Sequence, residues 1–262
     1  MVDDRNEATA RVTFGLLGPL EVSVSGRPIP LTQRIQRILL AKLTLSANQV
    51  VSVSSLIDAI WRTESQGSRL NNLQYQISRL RLLLRRCEPD RVTPRIVTHP
   101  LGYRLVTQNG ERDTDIFADF VRSARDAVTA GHHADAGILY RQALSLCRGP
   151  ALEDVRNVGG QLEAEAKRLE ETAISVLEER LDADLACLKH RQVVAELSAL
   201  TAQHPHRERL RAQLMTALYM CGRQVEALEV YASYAGSLRD EFGLDPGPDI
   251  RQVQQRILTH DL

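Results

Sequence analysis

The sequence of 262 residues lacks the features that mark membrane and exported proteins. It has no apolar run near the roughly 18–20 residues that a bilayer-spanning helix needs, so we expect no membrane association. The N-terminus, MVDDRNEATA, is polar and acidic, whereas a signal peptide begins with basic and then apolar residues. These absences favour a cytoplasmic protein.

Cysteine is scarce and widely spaced. The chain has four cysteines, and none forms a CxxC motif or a cluster with histidine: Cys87, Cys147, Cys187 and Cys221. Zinc sites and disulfide frameworks require closer spacing, so neither is expected, and a reducing cytosol fits the pattern.

Recognisable catalytic motifs are also missing. The sequence has no GxxxxGK[ST] phosphate loop, and the pair Gly159-Gly160 is more typical of a helix break. No cysteine or carboxylate frames the pairs His132-His133 and His204-x-His206 as metal ligands, so surface loops are the better interpretation. No Ser-His-Asp or Cys-His arrangement stands out. We therefore expect no enzyme, no cofactor and no metal.

Net charge is zero, but the charges are unevenly distributed. Residues 1–110 contain 15 Lys and Arg and 8 Asp and Glu, whereas residues 111–262 contain 18 and 25. A basic half beside an acidic half indicates that one part of the chain meets a polyanion and the other does not.

The basic half alternates between strand and helix patterns. Residues 12–31 predict about three short strands, interrupted at Gly18-Pro19. Thr32 then suits the N-cap of a helix with Ile35, Ile38, Leu39 and Leu43 at helical spacing. A strand over residues 50–53 precedes a second helix, for which Ser54 or Ser55 is the expected cap. Its expected inward residues are Leu56, Ile57, Ile60 and Trp61.

A third helix is predicted over residues 69–86, after a turn-rich break at residues 63–68. The apolar residues of this helix fall at spacings of four, three and four, which defines one buried stripe: Leu73, Ile77, Leu80 and Leu84. The other side is polar and has no acidic residue, with Asn72, Tyr75, Gln76 and Arg79 outward and Asn71, Ser78 and Arg81 on its flanks. A hairpin is predicted next, over residues 95–106, with His99–Gly102 at its tip.

After residue 112 the sequence is almost entirely helical. The predicted helices span residues 115–130, 132–147, 160–188, 190–203, 206–221, 223–242 and 248–260. Helix pairs of this length are typical of a helical repeat array. The sequence therefore predicts a flexible tail at 1–11, an α+β winged helix-turn-helix domain at 12–110 and an all-α helical repeat domain at 111–262.

The third helix has the two sides that a DNA-recognition helix requires. Its apolar side would hold it on the domain, while its polar side would lie in the major groove. Arginine suits guanine and asparagine or glutamine suits adenine, and an acidic residue, which would repel phosphates, is absent. The alternative from periodicity alone is a solvated basic helix of some other α+β domain.

Several segments resemble known regulators. RLNNLQYQISRLRLLLRR followed by RIVTHPLGYRLV is similar to the recognition helix and wing of OmpR-type winged-helix regulators. FGLLGPLEV, RILLAKL and VSVSSLIDAIW resemble the N-terminal part of the Streptomyces antibiotic regulatory protein (SARP) family. HPHRERLRAQLMTALYMCGRQVEALEVY and LRDEFGLDPGPDI resemble that family's bacterial transcriptional activation domain. This resemblance implies that the all-α domain at 111–262 is tetratricopeptide-like (TPR-like). Cys147 departs from the family's usual Trp, and residues 63–68 lack its usual prolines.

The resemblance implies roles for individual residues. Base-edge contacts are expected from Asn71, Asn72, Gln74, Tyr75 and Arg79. Phosphate or wing contacts are expected from Arg34, Arg37, Arg62, Ser78, Arg81, Arg95, Thr98, His99 and Arg104. By analogy alone, the turn formed by Arg62, Thr63, Glu64, Ser65 and Gln66 is the expected contact with RNA polymerase.

The resulting expectation is a transcriptional activator of a secondary-metabolite (antibiotic) gene cluster. Two protomers would bind tandem direct repeats of double-stranded DNA and hold the RNA polymerase holoenzyme, including its sigma factor, at a promoter. The alternatives are a repressor or architectural DNA-binding protein without polymerase contact, and a helical scaffold whose basic domain binds an acidic protein.

Overall fold

The computed structural model describes residues 11–61, 66–156 and 160–261. The chain divides into two compact units that interleave along the sequence. One contains the residues up to Phe120 together with Gln142–Ala173, and the other contains Val121–Arg141 and Ile174–Leu262. This division by contacts differs from the predicted boundary at 110/111, because residues 142–173 pack with the N-terminal segment.

Two small antiparallel sheets belong to the first unit. The first sheet has the order β1-β2-β3, with β1 at Val12–Gly15, β2 at Glu21–Val24 and β3 at Arg27–Pro28. The second has the order β4-β6-β5, with β4 at Val51–Ser52, β5 at Ile96–His99 and β6 at Gly102–Leu105. The predicted N-terminal strands and the predicted hairpin are therefore confirmed.

Three helices lie between these strands: α1 at Arg34–Leu45, α2 at Val53–Ile60 and α3 at Gln66–Cys87. The apolar stripe of α3 is buried as predicted, since Leu73 and Leu80 are 0% exposed and Ile77 and Leu84 are 1% exposed. Helix α3 begins three residues earlier than predicted, so residues 66–68 belong to the helix and not to the preceding turn.

Both predicted helix caps are wrong. The N-cap of α1 is Gln33 and not Thr32, and no side chain caps this helix. The N-cap of α2 is Ser52, whose hydroxyl accepts a hydrogen bond from the backbone N–H of Ser55. Strand β4 ends at Ser52, so the chain enters the helix earlier than the pattern of serines suggested. Leu56 is buried as predicted, but Ile57, Ile60 and Trp61 are only partly buried.

Two carboxylates satisfy the backbone where the first sheet is interrupted. Asp113 accepts hydrogen bonds from the N–H groups of Leu16 (2.8 Å) and Leu17 (2.9 Å), and Asp154 accepts one from Leu20 (2.7 Å). Burial raises the pKa of Asp113, although these N–H groups and Arg148 act in the opposite direction. The bend at Gly18-Pro19 thus depends on residues more than 90 positions away in the sequence.

The remaining helices follow Arg112, as predicted. They are α4 (Asp113–Thr129), α5 (His133–Leu144), α6 (Gly160–Ala186), α7 (His190–Gln203), α8 (Glu208–Met220), α9 (Gln224–Phe242) and α10 (Pro248–Leu258). Consecutive helices pack together, α7 on α8 and α8 on α9, around a core that includes Leu181, Leu197 and Ile250. Within the described ranges, no helix is long and apolar enough to cross a membrane.

Arg95 is the centre of a buried ion cluster in the first unit. Its guanidinium donates to both carboxylate oxygens of Glu88, each at 2.6 Å, to Glu111, and to the carbonyl of Val106 at 3.0 Å. Burial alone would raise the pKa of Glu111, but hydrogen bonds from Arg95 and from the N–H of Gln108 outweigh it and hold this pKa below its usual range. The cluster fixes the entry to β5, since Arg95 directly precedes Ile96.

Replacing Glu111 with Gln is expected to destabilise the protein at pH 7 by about 1.5–3 kcal/mol, because a hydrogen-bonded charge pair is lost. The pKa of Glu111 is lowered by folding, so its contribution is present above the ordinary value of 4.5 and is lost as the pH falls through the lowered value. Urea unfolding of both proteins from pH 7 to pH 3 should show that the difference between their free energies of unfolding becomes smaller as the pH falls. A difference that does not depend on pH would contradict this.

Gly102 lies where β6 approaches β4 most closely. A methyl group at this position would overlap the carbonyl oxygen of Val51. We expect Gly102→Ala to destabilise the protein by about 1–3 kcal/mol, as overpacking does. Gly160→Ala is the control, because a methyl group there meets no atom within 4 Å in the described part of the chain. Equal urea midpoints for the two variants would contradict the expectation.

Candidate nucleic-acid interface

The side of α3 opposite its buried stripe is polar and exposed. We call it the outer face of α3. Its members are all exposed to solvent: Asn71, Asn72, Gln74, Tyr75, Ser78 and Arg79. Tyr75 is 57% exposed, so its ring is available to a partner. No acidic residue occurs between Arg69 and Arg86, so nothing in this helix opposes a polyanion.

Arg79 is the most available cation of the outer face. It forms no hydrogen bond or ion pair with any residue that the structure describes. Its neighbour Ser78 donates a hydrogen bond of 2.9 Å to the carbonyl of Gln74, one turn earlier, so this hydroxyl proton is already engaged within the helix. Arg79 therefore keeps its full set of donors for a ligand.

Gln76 is only 8% exposed and does not face outward, contrary to the prediction. Its side-chain amide belongs to a series of hydrogen-bonded amides, which we call the relay. Gln36 of α1 donates to Gln33 (2.8 Å) and to Gln76 (3.2 Å), and Gln76 donates to Asn72 (3.4 Å). The relay therefore reaches from α1 to the outer face and orients the Asn72 amide. The helical angle could have revealed this, because Gln76 follows Leu73 by three positions and adjoins Ile77 in the stripe.

Arg81 faces the hairpin and not solvent alone. Its Nε donates to the carbonyl of Ile96 at 2.8 Å and its Nη2 donates to the hydroxyl of Thr98 at 2.7 Å. The guanidinium also lies over the ring of Tyr103, 5.8 Å from its centroid. Residues two apart on a helix point about 160° apart, so Arg79 and Arg81 lie on opposite flanks of α3.

The hairpin of β5 and β6, which we call the wing, carries the other predicted contact residues. Thr98, His99 and Arg104 are all exposed. At the tip, the Nδ1 atom of His99 accepts a hydrogen bond of 3.2 Å from the backbone N–H of Leu101. The outward nitrogen of this imidazole is then Nε2.

Two arginines predicted to contact phosphates are engaged with other parts of the protein. Arg95 is 3% exposed and its donors are taken by Glu88, Glu111 and the carbonyl of Val106, so it cannot meet a duplex. Arg37 pairs with Asp154 and donates to the carbonyls of Leu20 and Leu31, which makes it a structural cation. Arg34, the other arginine of α1 that was predicted to contact phosphate, is exposed at the first position of this helix.

The predicted polymerase contact lies largely outside the described residues. This applies to residues 62–65 and therefore also to Arg62 as a phosphate contact. Gln66 begins α3, but its side chain is outside the described set. Elsewhere, the described part of the chain contains no group of three or more His, Cys, Asp or Glu side chains that could hold a metal ion.

Two domain families match the sequence. The bacterial transcriptional activator domain matches residues 112–258, and the C-terminal domain of transcriptional regulatory proteins matches residues 26–105. The second match covers α1, α3 and the wing, so the candidate interface lies inside the domain that this family describes.

The sequence is similar to those of several regulatory proteins. The chain is 36% identical over 250 residues to the transcriptional regulatory protein EmbR of Mycobacterium tuberculosis, covering 95% of this chain and 63% of EmbR. It is 38% identical to the regulatory protein AfsR of Streptomyces coelicolor, covering 97% of this chain and 25% of AfsR. It is 34% identical to the regulatory protein DnrI of Streptomyces peucetius, covering 95% of this chain and 92% of DnrI.

A solved structure agrees with these relatives. The structure of Mycobacterium tuberculosis EmbR in complex with a low-affinity phosphopeptide superposes with a TM-score of 0.91 at 35% identity, covering 97% of this chain and 66% of that one. The α+β winged helix-turn-helix followed by an all-α domain, expected from the sequence, is thereby confirmed. The chain belongs to the SARP family of transcriptional regulators, a non-enzymatic family in which an OmpR-type domain is joined to a bacterial transcriptional activator domain.

Proposed function

We propose that this chain is a sequence-specific DNA-binding activator of transcription. The observation that carries the proposal is the outer face of α3, exposed and free of acidic residues above a fully buried apolar stripe. A helix anchored on one side and polar on the other can enter the major groove without any rearrangement of the domain.

Within this proposal, each part of the interface has a distinct role. Arg79 would read guanine through its two parallel donors, and Asn71, Asn72, Gln74 and Tyr75 would contact neighbouring base edges. Arg34 and Arg104 would contact phosphates, which position the protein but carry no sequence information. Ser78 would do so by exchanging its hydrogen bond to the Gln74 carbonyl for one to a phosphate oxygen. His99 would reach the backbone or the minor groove from the wing tip.

The proposal extends to the promoter. Two protomers would occupy tandem direct repeats about one or two helical turns apart, and the complex would recruit RNA polymerase through its sigma factor. Residues 62–66 would contribute to that contact. The chain spans about 63% of EmbR and a quarter of AfsR. We propose that it acts in the cytoplasm, in association with the nucleoid. Control of a secondary-metabolite cluster is proposed on the same family basis.

Replacing Arg79 with Ala should weaken binding to a selected operator by about 1–3 kcal/mol and relax the preference at one base pair. Selection from random duplexes followed by gel shift on all four bases at each position measures both effects. Arg191→Ala, an exposed arginine in α7, is the charge-matched control and should bind as the unmodified protein does. Unchanged affinity and base preference for Arg79→Ala would remove Arg79 from the base contacts.

Activation can be separated from its alternatives by transcription with purified RNA polymerase. We expect the protein to raise the yield from a weak promoter placed beside two copies of the selected operator, and inversion of one copy should abolish the effect. Lower or unchanged yield despite operator binding would indicate a repressor or architectural role. Failure to bind any duplex at moderate salt in the presence of competitor DNA would indicate a protein scaffold instead.

A further inference from the structure

We propose that Arg81 is a positioning residue that sets the geometry between the recognition helix and the wing. The inference rests on the proposed DNA-binding function and goes further, because it assigns to one arginine the spacing between the two DNA-contacting elements. It also replaces the phosphate contact that the recognition-helix pattern suggests for this residue.

The contacts of Arg81 converge on one cross-strand pair. Thr98 of β5 and Tyr103 of β6 stand directly opposite each other in the hairpin. Arg81 donates to the Thr98 hydroxyl at 2.7 Å and lies over the Tyr103 ring, so it holds both strands at once. A further hydrogen bond of 2.8 Å to the Ile96 carbonyl fixes the start of β5.

These contacts of Arg81 with the hairpin, which we call the clamp, lie immediately before the wing tip. Thr98 is the last residue before His99, and the four residues from His99 to Gly102 make the turn. Both His99 and Leu101 are exposed, and Leu101 is 69% exposed. The orientation of the tip relative to α3 is therefore determined where Arg81 binds.

The chemistry of arginine suits this role better than a lysine would. A planar guanidinium can donate along two directions and still stack on an aromatic ring, whereas an ammonium is a single point charge. Arg81→Lys keeps the charge of the interface but removes the clamp. The wing should then be free to move relative to α3. Positioning and phosphate contact thus predict different outcomes for the same variants.

The test uses the full chain and the duplex that the unmodified protein selects from random sequence. Thr98→Val removes the acceptor and keeps the branched shape, Thr98→Ser keeps the hydroxyl, and Arg81→Lys keeps the charge. We expect Thr98→Val and Arg81→Lys each to weaken binding about tenfold, as the loss of a charged hydrogen bond does. Thr98→Ser should bind DNA with normal affinity. The double variant, which combines Thr98→Val with Arg81→Lys, should bind DNA no more weakly than Arg81→Lys alone.

Two further readouts separate positioning from a direct contact. The slope of log affinity against log salt should change equally in Thr98→Val and Arg81→Lys, because each frees the wing that carries Arg104 and neither removes a charge. Hydroxyl-radical protection should be lost only in the minor groove beside the wing. The proposal is overturned if Thr98→Val binds normally while Arg81→Ala lowers the slope by about 0.9, which is the signature of one lost phosphate contact.

A measurement without DNA keeps this proposal distinct from the proposed function. In the free protein, Thr98→Val and Arg81→Lys should accelerate hydrogen exchange of the amides of His99, Leu101 and Gly102, whereas Thr98→Ser should not. Slow exchange in all variants would overturn the clamp even if the protein binds DNA. Faster exchange in a protein that selects no duplex would support the clamp and refute the proposed function.

Discussion

The burial of four side chains in α3 determines the whole interface. Leu73, Ile77, Leu80 and Leu84 are all at most 1% exposed, and burial of each such side chain is worth about 1.5–3 kcal/mol. Rotating the helix to expose them would cost roughly 6–12 kcal/mol, which is comparable to the entire stability of a domain. No single polar contact could offset that cost. The outward direction of Arg79 is therefore fixed as firmly as the fold itself.

Buried polar groups determine the side-chain orientations that the apolar stripe does not set. The stripe sets which side of α3 faces out, but it does not set how an individual amide is turned. The relay from Gln36 through Gln76 does this for Asn72. A buried amide without a partner costs about 1–3 kcal/mol, so the relay has little freedom to rearrange when a ligand arrives. An interface whose side chains are already oriented loses less entropy on binding.

Periodicity was sufficient to predict the elements and the stripe, but not the partners of polar residues. Helix α3 and the wing repeat apolar residues at intervals that a local window detects. Arg95 has no such signal, because its partner Glu111 lies 16 positions away and is brought close only by the hairpin. Arg37 pairs with Asp154 across 117 positions. The N-cap of α1 is Gln33 and not Thr32, a difference of one residue at a helix end that a local pattern does not resolve.

The arginines show why formal charge is a poor measure of a DNA interface. The first 110 residues contain 15 basic and 8 acidic residues, which suggests a strongly attractive surface. Yet Arg37 and Arg95 neutralise internal carboxylates, and Arg81 is engaged with the wing. The planar guanidinium has five donors and can therefore form such internal contacts. Burial of a lysine ammonium would carry a larger desolvation penalty. Only cations that remain exposed displace counterions, so the salt dependence of binding should reflect fewer contacts than the charge count implies.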